Sequence, residues 1–394
     1  MTFIKSSSHF VYPVLGILLC LGFILQCNKN SKGTHNSFTG DSTKETSQSV
    51  HIRYAQGFSV SQHKKYTLVR VFNPFENHSD TLRYMLIPRG QSRPAAYPNA
   101  QTIRTPIRSL IATSTTQIAL TETLNADSVV KGMVGAKYAY SPDIRRRLKQ
   151  GKIQSFKEGD FNREVALNMH PELVMISAGQ VSQYDDYKLL TQSGIGVFVN
   201  ADWLETTPLG KAEWLKVMGL LLGKEKMAQK KFKKVAKRYN NLKKKVKNVA
   251  NKPLVINNMP YKGAWFVSGG QSYMAQYFRD AGADYPWFNN KSTGGLKLSF
   301  ETVFKAGLKA DVWLDPGKAR TKADILAKDR RLKDFKAFKT DRIYNNNKRV
   351  SPTGGNDFWE QGVVRPDIVL SDLIKILHPN VLPNDSLYFY QKVK

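Results

Sequence analysis

Along this chain the apolar residues keep two rhythms. Between residues 66 and 90 they fall in β-rich runs, YTLVRVFNPF and DTLRYMLIPRG, parted by the polar ENHS, and this predicts a hairpin. From Ile103 onward, short apolar runs alternate with amphipathic ones. IRSLIATS, VVKGMVG, ELVMIS and GVFVN predict strands; TTQIALTETLN and REVALNMH predict helices, the first opened by threonines suited to capping it. Pro208 predicts a helix start and Gly223 its end, just past Leu222. In residues 224–246, Ala228, Phe232, Val235, Tyr239, Leu242 and Val246 stand three and four apart, an apolar stripe on a lysine-coated helix. Beyond Pro253 the alternation resumes. PLVINNM, VWLDP and RIYNN read as strands; SYMAQYFRDAG, FETVFKAG, RLKDFKAF and RPDIVLSDLIKIL read as helices.

Such alternation predicts open, mostly parallel α/β sheets, and 394 residues are too many for one ordinary core. The expected fold is therefore two α/β lobes joined by a single long helix. An N-terminal lobe with a leading β-hairpin covers 51–205, connecting helices 206–250, and a C-terminal lobe 251–394. The halves echo each other: FNREVALNMHPELVMISAGQ at 161–180 and LSFETVFKAGLKADVWLDPG at 298–317. Each sets a glutamate (Glu164, Glu301) at the head of a helix. Each then reaches an acidic residue (Glu172, Asp311), a short apolar strand and a small-residue loop, which in the first copy ends at Gln180.

The N-terminus changes the picture. Lys5 precedes an apolar run from Val11 to Leu25 that ends in ILQC, followed by a polar stretch. Charge, apolar run, cysteine and tether in that order predict a signal peptide over 1–26, lipidation at Cys27 and a flexible tether over 27–50, although Gln26 replaces the usual small residue. Both cysteines, Cys20 and Cys27, lie in this segment, so the folded part has neither a disulfide nor a thiolate site. The formal charge of +29 suits an anionic partner, and the export signal argues against nucleic acid.

The chemistry of an enzyme is not evident. No P-loop, GxGxxG or HExxH occurs, and the seven histidines are scattered; His170 and His378 read as helix-end residues. Gly269 and Gly270 in VSGGQSYMAQ could open an anion cradle, but without a P-loop lysine, glycines permitting a tight strand-to-helix turn explain them better. Aromatics say more. Trp203, Trp265, Trp287 and Trp359 stand in polar, turn-rich stretches, as do Tyr138 and Tyr140, whereas Trp214 and Trp313 read as core. Loop aromatics between strand ends and helix starts are what a ligand crevice in an α/β protein needs, and with Gln180 they form the expected ligand face.

At this point the chain resembles the periplasmic substrate-binding proteins of ABC importers for iron–siderophore, haem and cobalamin. The likeness covers about residues 100–380. It rests on the order of TSTTQIALTETLNADSVVKGMVG, NREVALNMHPELVMI, MGLLLGKEKMA, GGQSYMAQYFRDAGADY, SFETVFKAGLKADVWL and VVRPDIVLSDLIKILHP. The resemblance implies a ligand cleft between the lobes and a non-catalytic periplasmic protein, membrane-anchored if Cys27 is lipidated, that delivers a bulky ligand to a permease dimer. It also implies that Glu164 and Glu301 dock into permease arginines, one from each lobe; Ala310 stands where the family has proline. An iron complex of the ferric siderophore type is the leading ligand, with cobalamin next and haem third. An exported enzyme on the same bilobal fold and a bare metal-ion binder are the readings from other classes. The lack of a clustered acid, base or nucleophile opposes the first, and the histidine distribution opposes the second.

Overall fold

The computed structural model describes residues 48–75, 79–159, 161–179 and 187–394. The expected signal peptide, most of the tether, Cys27 and Gln180 lie outside the described residues.

The first five strands are β1 (Gln48–Ser49), β2 (Phe58–Gln62), β3 (Thr67–Phe72), β4 (Thr81–Pro88) and β5 (Gln101–Thr105). They form one sheet in chain order, antiparallel except for the parallel β4–β5 pair. The expected hairpin is thus the centre of a larger sheet, which begins inside the stretch expected to be tether. Alternation sorts its side chains. Leu68, Met85 and Ile87 build a small core on one face, while Val69, Val71, Tyr84 and Leu86 join the main core on the other. Before β2, five consecutive backbone N–H groups are strapped down by two buried glutamates. Arg53, Tyr54 and Ala55 donate to Glu213, and Gln56 and Gly57 donate to Glu205, at 2.6–3.2 Å.

The N-terminal lobe is built on β6 (Leu110–Ala112), β7 (Val130–Val134), β8 (Gln154–Phe156), β9 (Leu173–Ser177) and β10 (Gly196–Asn200). Every pair is parallel, in the order β10-β9-β6-β7-β8. Every residue of β6 and β10 is buried, as a parallel sheet covered on both faces requires.

Three helices connect the lobes: Pro208–Glu213, Leu215–Leu222 and Glu225–Lys245. Gly223, at φ 64°, ends the second by taking the left-handed conformation that glycine adopts without strain. The last has 21 residues and buries Ala228, Phe232, Ala236, Tyr239 and Leu242 against neighbouring helices. Ala236 takes the innermost place expected for Val235, which is half-buried.

The C-terminal lobe contains β11 (Val255–Asn257), β12 (Pro260–Tyr261), β13 (Ala264–Ser268), β14 (Gly295–Leu298), β15 (Val312–Leu314), β16 (Ile343–Asn345) and β17 (Gln391–Lys392). The order β11-β15-β16 is parallel and repeats β6-β9-β10, with β17 added antiparallel. A separate antiparallel sheet, β12-β13-β14, stands beside it. The expected single helix in RLKDFKAF is broken at Phe335, whose backbone is extended (φ −60°, ψ 137°). Its ring is fully buried against Trp265, Phe304 and Trp313, and it fills the space a side chain at Gly307 would need.

Candidate functional site

The parallel strands of both lobes run their C-terminal ends toward one cleft of about 820 Å³, the place where open α/β sheets bind ligands. From the N-terminal lobe, β6 delivers Thr113, Ser114 and Thr115, β7 delivers Gly135 and Tyr138, and β8 delivers Glu158. Ser114 also caps the helix Thr115–Thr123, whose N-terminus therefore stands at the cleft. From the C-terminal lobe, β11 delivers Asn258, β15 delivers Asp315, Lys318 and Arg320, and β16 delivers Asn346 and Asn347. The wall carries many polar side chains, two exposed cations among them, and each lobe adds one aromatic.

Those aromatics are Tyr138, 45% exposed, and Trp359, 50% exposed. GGNDFWEQG, expected as a loop, is the start of a helix, Asp357–Val364, and Trp359 projects from its first turn. The other aromatics expected at the ligand face lie elsewhere. Trp265 is a correction: its stretch is β13, and the indole is fully buried, donating to Asn257 O at 3.1 Å. Trp287 is half-buried and packs edge-on against Tyr285 in a separate hollow beside Leu254 and Thr302. Trp203 follows β10 and is half-exposed, with Nε1 donating to Ala178 O, but it does not line the cleft. Tyr140 lines an adjoining cavity of about 230 Å³, beneath the Arg349 guanidinium 5.1 Å from its ring.

Asp315 is a cleft residue that sequence reasoning missed. It ends β15 with a left-handed backbone (φ 56°), as Asn258 ends β11 (φ 62°). Only 9% of it is exposed; Tyr390 donates to Oδ2 at 3.2 Å, and Oδ1 has no hydrogen-bond partner. Burial pushes its pKa up to about 7, against the pull of the Tyr390 hydroxyl and the Asn346 N–H. The signal available in the sequence was the DPG that follows an apolar strand, which marks a turn but not a buried acid.

A clasp closes the lobes at the junction of the two cavities. Glu360 accepts the N–H groups of Tyr140 (2.8 Å) and Ser141 (2.9 Å) from the opposite lobe. Glu122 accepts Gln361 Nε2 at 2.8 Å in the reverse direction. Burial pushes Glu360 up to about 8 and also raises Glu122 and Asp357. Gly355 makes the approach possible: a Cβ there would lie 2.4 Å from Tyr138 O and 2.6 Å from Ala139 O.

Glu164 and Glu301 are both exposed, each in the first turn of a short helix capped by Asn162 or Ser299. Among the described residues no three His, Cys, Asp or Glu side chains converge to hold a metal ion, and no helix is long and apolar enough to cross a membrane.

The sequence pattern of one family, described as periplasmic binding protein, matches residues 112–350, which spans both walls of the cleft. An uncharacterised lipoprotein of Methanocaldococcus jannaschii is 29% identical over 75% of this chain and 70% of its own length. Among solved structures, a periplasmic haem-binding protein from Pseudomonas aeruginosa aligns over 73% of this chain and 98% of its own, with TM-score 0.56 and 16% identity. A protein from Staphylococcus epidermidis, described as a possible iron-binding periplasmic solute-binding protein, aligns over 70% of this chain and 100% of its own. Its TM-score is 0.54 and its identity 18%. At those identities the structures share the bilobal fold.

Proposed function

The chain belongs to the periplasmic binding protein family, whose members bind solutes for ABC transporters without catalysis, and from that premise we propose that it captures a ferric siderophore-type complex and delivers it to a permease dimer. The observation that carries the reading is the cleft itself. A volume of about 820 Å³ suits a bulky ligand, and Tyr138 and Trp359 offer it flat apolar faces from opposite lobes. Lys318 and Arg320 stand ready for the anionic oxygens that many ferric complexes carry. The formal charge of +29 would speed encounter with such a ligand.

Export and anchoring complete the proposal. Cys27, after its apolar run, is the residue to be lipidated, holding the protein outside the cytoplasmic membrane. The similar Methanocaldococcus protein being a lipoprotein supports this. Glu164 and Glu301, exposed at equivalent places in the two lobes, are the groups to meet the permease. Haem is the second reading, favoured by the exposed Tyr138 in the cleft lining, since a tyrosinate can ligate haem iron.

The deciding experiment is the visible spectrum and native mass of the full chain purified from its own host. A charge-transfer band with the added mass of a ferric complex supports the proposal. A Soret band moves the assignment to haem, and a corrin spectrum to cobalamin.

A further inference from the structure

The lysine-rich helix Glu225–Lys245 presents more charge than a scaffold needs, and its C-terminal end does not face the cleft. There it forms one wall of a second concavity, of about 600 Å³. Lys243, Lys244 and Lys247 come from the helix end, Lys252 from the chain leading to β11, Arg279 from the helix Tyr273–Asp280, and Arg53 from the strapped N-terminal segment. Against these six cations the lining holds a single carboxylate, Asp280.

The geometry points to a binding site for a phosphate-bearing anion in this concavity, independent of the ligand cleft.

The ordinary explanation for cations at helix C-termini is that they offset the helix dipole. That applies to Lys243, Lys244 and Arg279, and two of these also have partners of their own. Lys243 pairs with Asp280 at 2.7 Å, and Arg279 donates to Phe288 O while lying over the Phe288 ring. Asp280 is already shared with the Tyr239 hydroxyl and Gln276 Nε2. Among the described residues Lys244, Lys247 and Lys252 make no ion pair, and the Arg53 guanidinium lies over the face of Tyr54 without an ion pair. Three separate chain segments therefore bring exposed, unpaired positive charge to one hollow, and their summed field attracts an anion there. Gly282 helps to shape the hollow. At φ 74° it turns the chain where a Cβ would lie about 3 Å from His378, Val249 and Val246. A lone phosphate is much smaller than the space, so a phosphodiester headgroup or a chain of phosphates fits it better. Lysines bind such groups as point charges, without bidentate geometry.

The test compares the wild-type chain with two charge-reversed variants of equal net charge. Lys244→Glu/Lys247→Glu/Lys252→Glu alters the hollow; Lys230→Glu/Lys233→Glu/Lys237→Glu alters exposed lysines of the same helix outside it. Circular dichroism checks that all three fold alike. Two probes are used at about 50 mM salt, where charge is weakly screened. Tripolyphosphate is titrated calorimetrically. Phosphatidylcholine vesicles with and without phosphatidylglycerol are tested by co-sedimentation. The hollow variant is expected to lose about tenfold or more in affinity and the control variant less than about threefold. Loss confined to the anionic vesicles supports the site and identifies a lipid headgroup as its occupant; loss confined to tripolyphosphate supports it with a soluble occupant. Equal loss in both variants shows diffuse attraction and overturns the proposal, as does failure of the wild-type chain to bind either probe.

Discussion

Glu172 and Asp311 perform the same task at corresponding points of the two lobes. Glu172 Oε2 accepts the N–H of Arg108 at 2.7 Å, ahead of β6; Asp311 Oδ2 accepts that of Leu254 at 2.8 Å, ahead of β11. Each acid introduces the strand that pairs in parallel beside the one it holds, β9 or β15. Each also has a basic partner, Arg89 at 2.5 Å and Lys336 at 2.7 Å. The echo between residues 161–180 and 298–317 is thus a repeated structural unit, with the acid tying two parallel strands together at their N-terminal ends, opposite the cleft.

If Tyr138 and Trp359 are the ligand face, removing either ring should weaken binding and spare the fold. Trp359→Ala is expected to cost roughly 1–3 kcal/mol in binding of a ferric complex while leaving the melting temperature within a few degrees. Trp265→Ala should behave oppositely, costing roughly 3–5 kcal/mol of stability, because its indole is fully enclosed. Fluorescence titration and thermal melts, run in parallel, check both. Normal binding by Trp359→Ala would remove it from the site.

The clasp makes a second expectation. Gly355→Ala places a methyl group against the carbonyls of Tyr138 and Ala139, backbone atoms that cannot swing aside. The lobes must separate locally or the fold must strain, at a cost of roughly 1–3 kcal/mol. A lowered melting temperature with a larger radius of gyration in solution scattering is the expected pair of results. An unchanged scattering curve and melt would show that this approach is not tight.

Asp315 gives stability a dependence on pH. Burial raises its folded pKa to about 7, above the ordinary 3.8, so the native state holds a proton that the unfolded chain releases. Its contribution is fully present below the unfolded pKa and is lost as pH rises toward and through 7. Asparagine tolerates the left-handed backbone, mimics the protonated acid and keeps an acceptor for Tyr390. Asp315→Asn should therefore gain on the wild type as pH rises from 5 to 8.5, and melts at several pH values would show it. A constant difference would mean that Asp315 stays ionised throughout.

If Glu164 and Glu301 are the groups that meet the permease, they separate binding from delivery. Glu164→Arg and Glu301→Arg should leave equilibrium affinity for the ferric complex intact, since both side chains are exposed in helix first turns away from the cleft lining. Uptake in vesicles carrying the permease should fall, most in the double variant, because rim charges set orientation and association rate. Normal uptake by the double variant would return both residues to the ordinary role of acids at helix starts.

Much of the scaffold was legible because strands and helices impose different periods on apolar residues. LVMIS, GVFVN and the stripe from Ala228 to Leu242 could hardly be read otherwise. Less legible was whatever depended on a distant neighbour. KGAWFVSG is bounded by glycines and looks like a loop, yet its Trp265 fills the space between β15 and Phe335. Trp359 sits one residue from Phe358, which is buried; which of the two faces outward is settled by packing of Phe358 against Phe389 and Tyr390. The DPG at Asp315 marks a turn but carries no sign of burial, because burial at a strand end is a property of the assembled lobe.

The two glutamates that strap Arg53–Gly57 have a mechanical consequence. Glu205 and Glu213 sit immediately ahead of and within the connecting helices, and Trp214 Nε1 locks Glu205 in place at 3.0 Å. Tension arriving along the N-terminal segment would meet the short β1–β2 pairing first and then these several hydrogen bonds, loaded together, before it could reach the strands that frame the cleft. A leash attached to the spine of a clam exerts little torque on either shell, so a pull on the N-terminal segment would leave the shape of the cleft undisturbed.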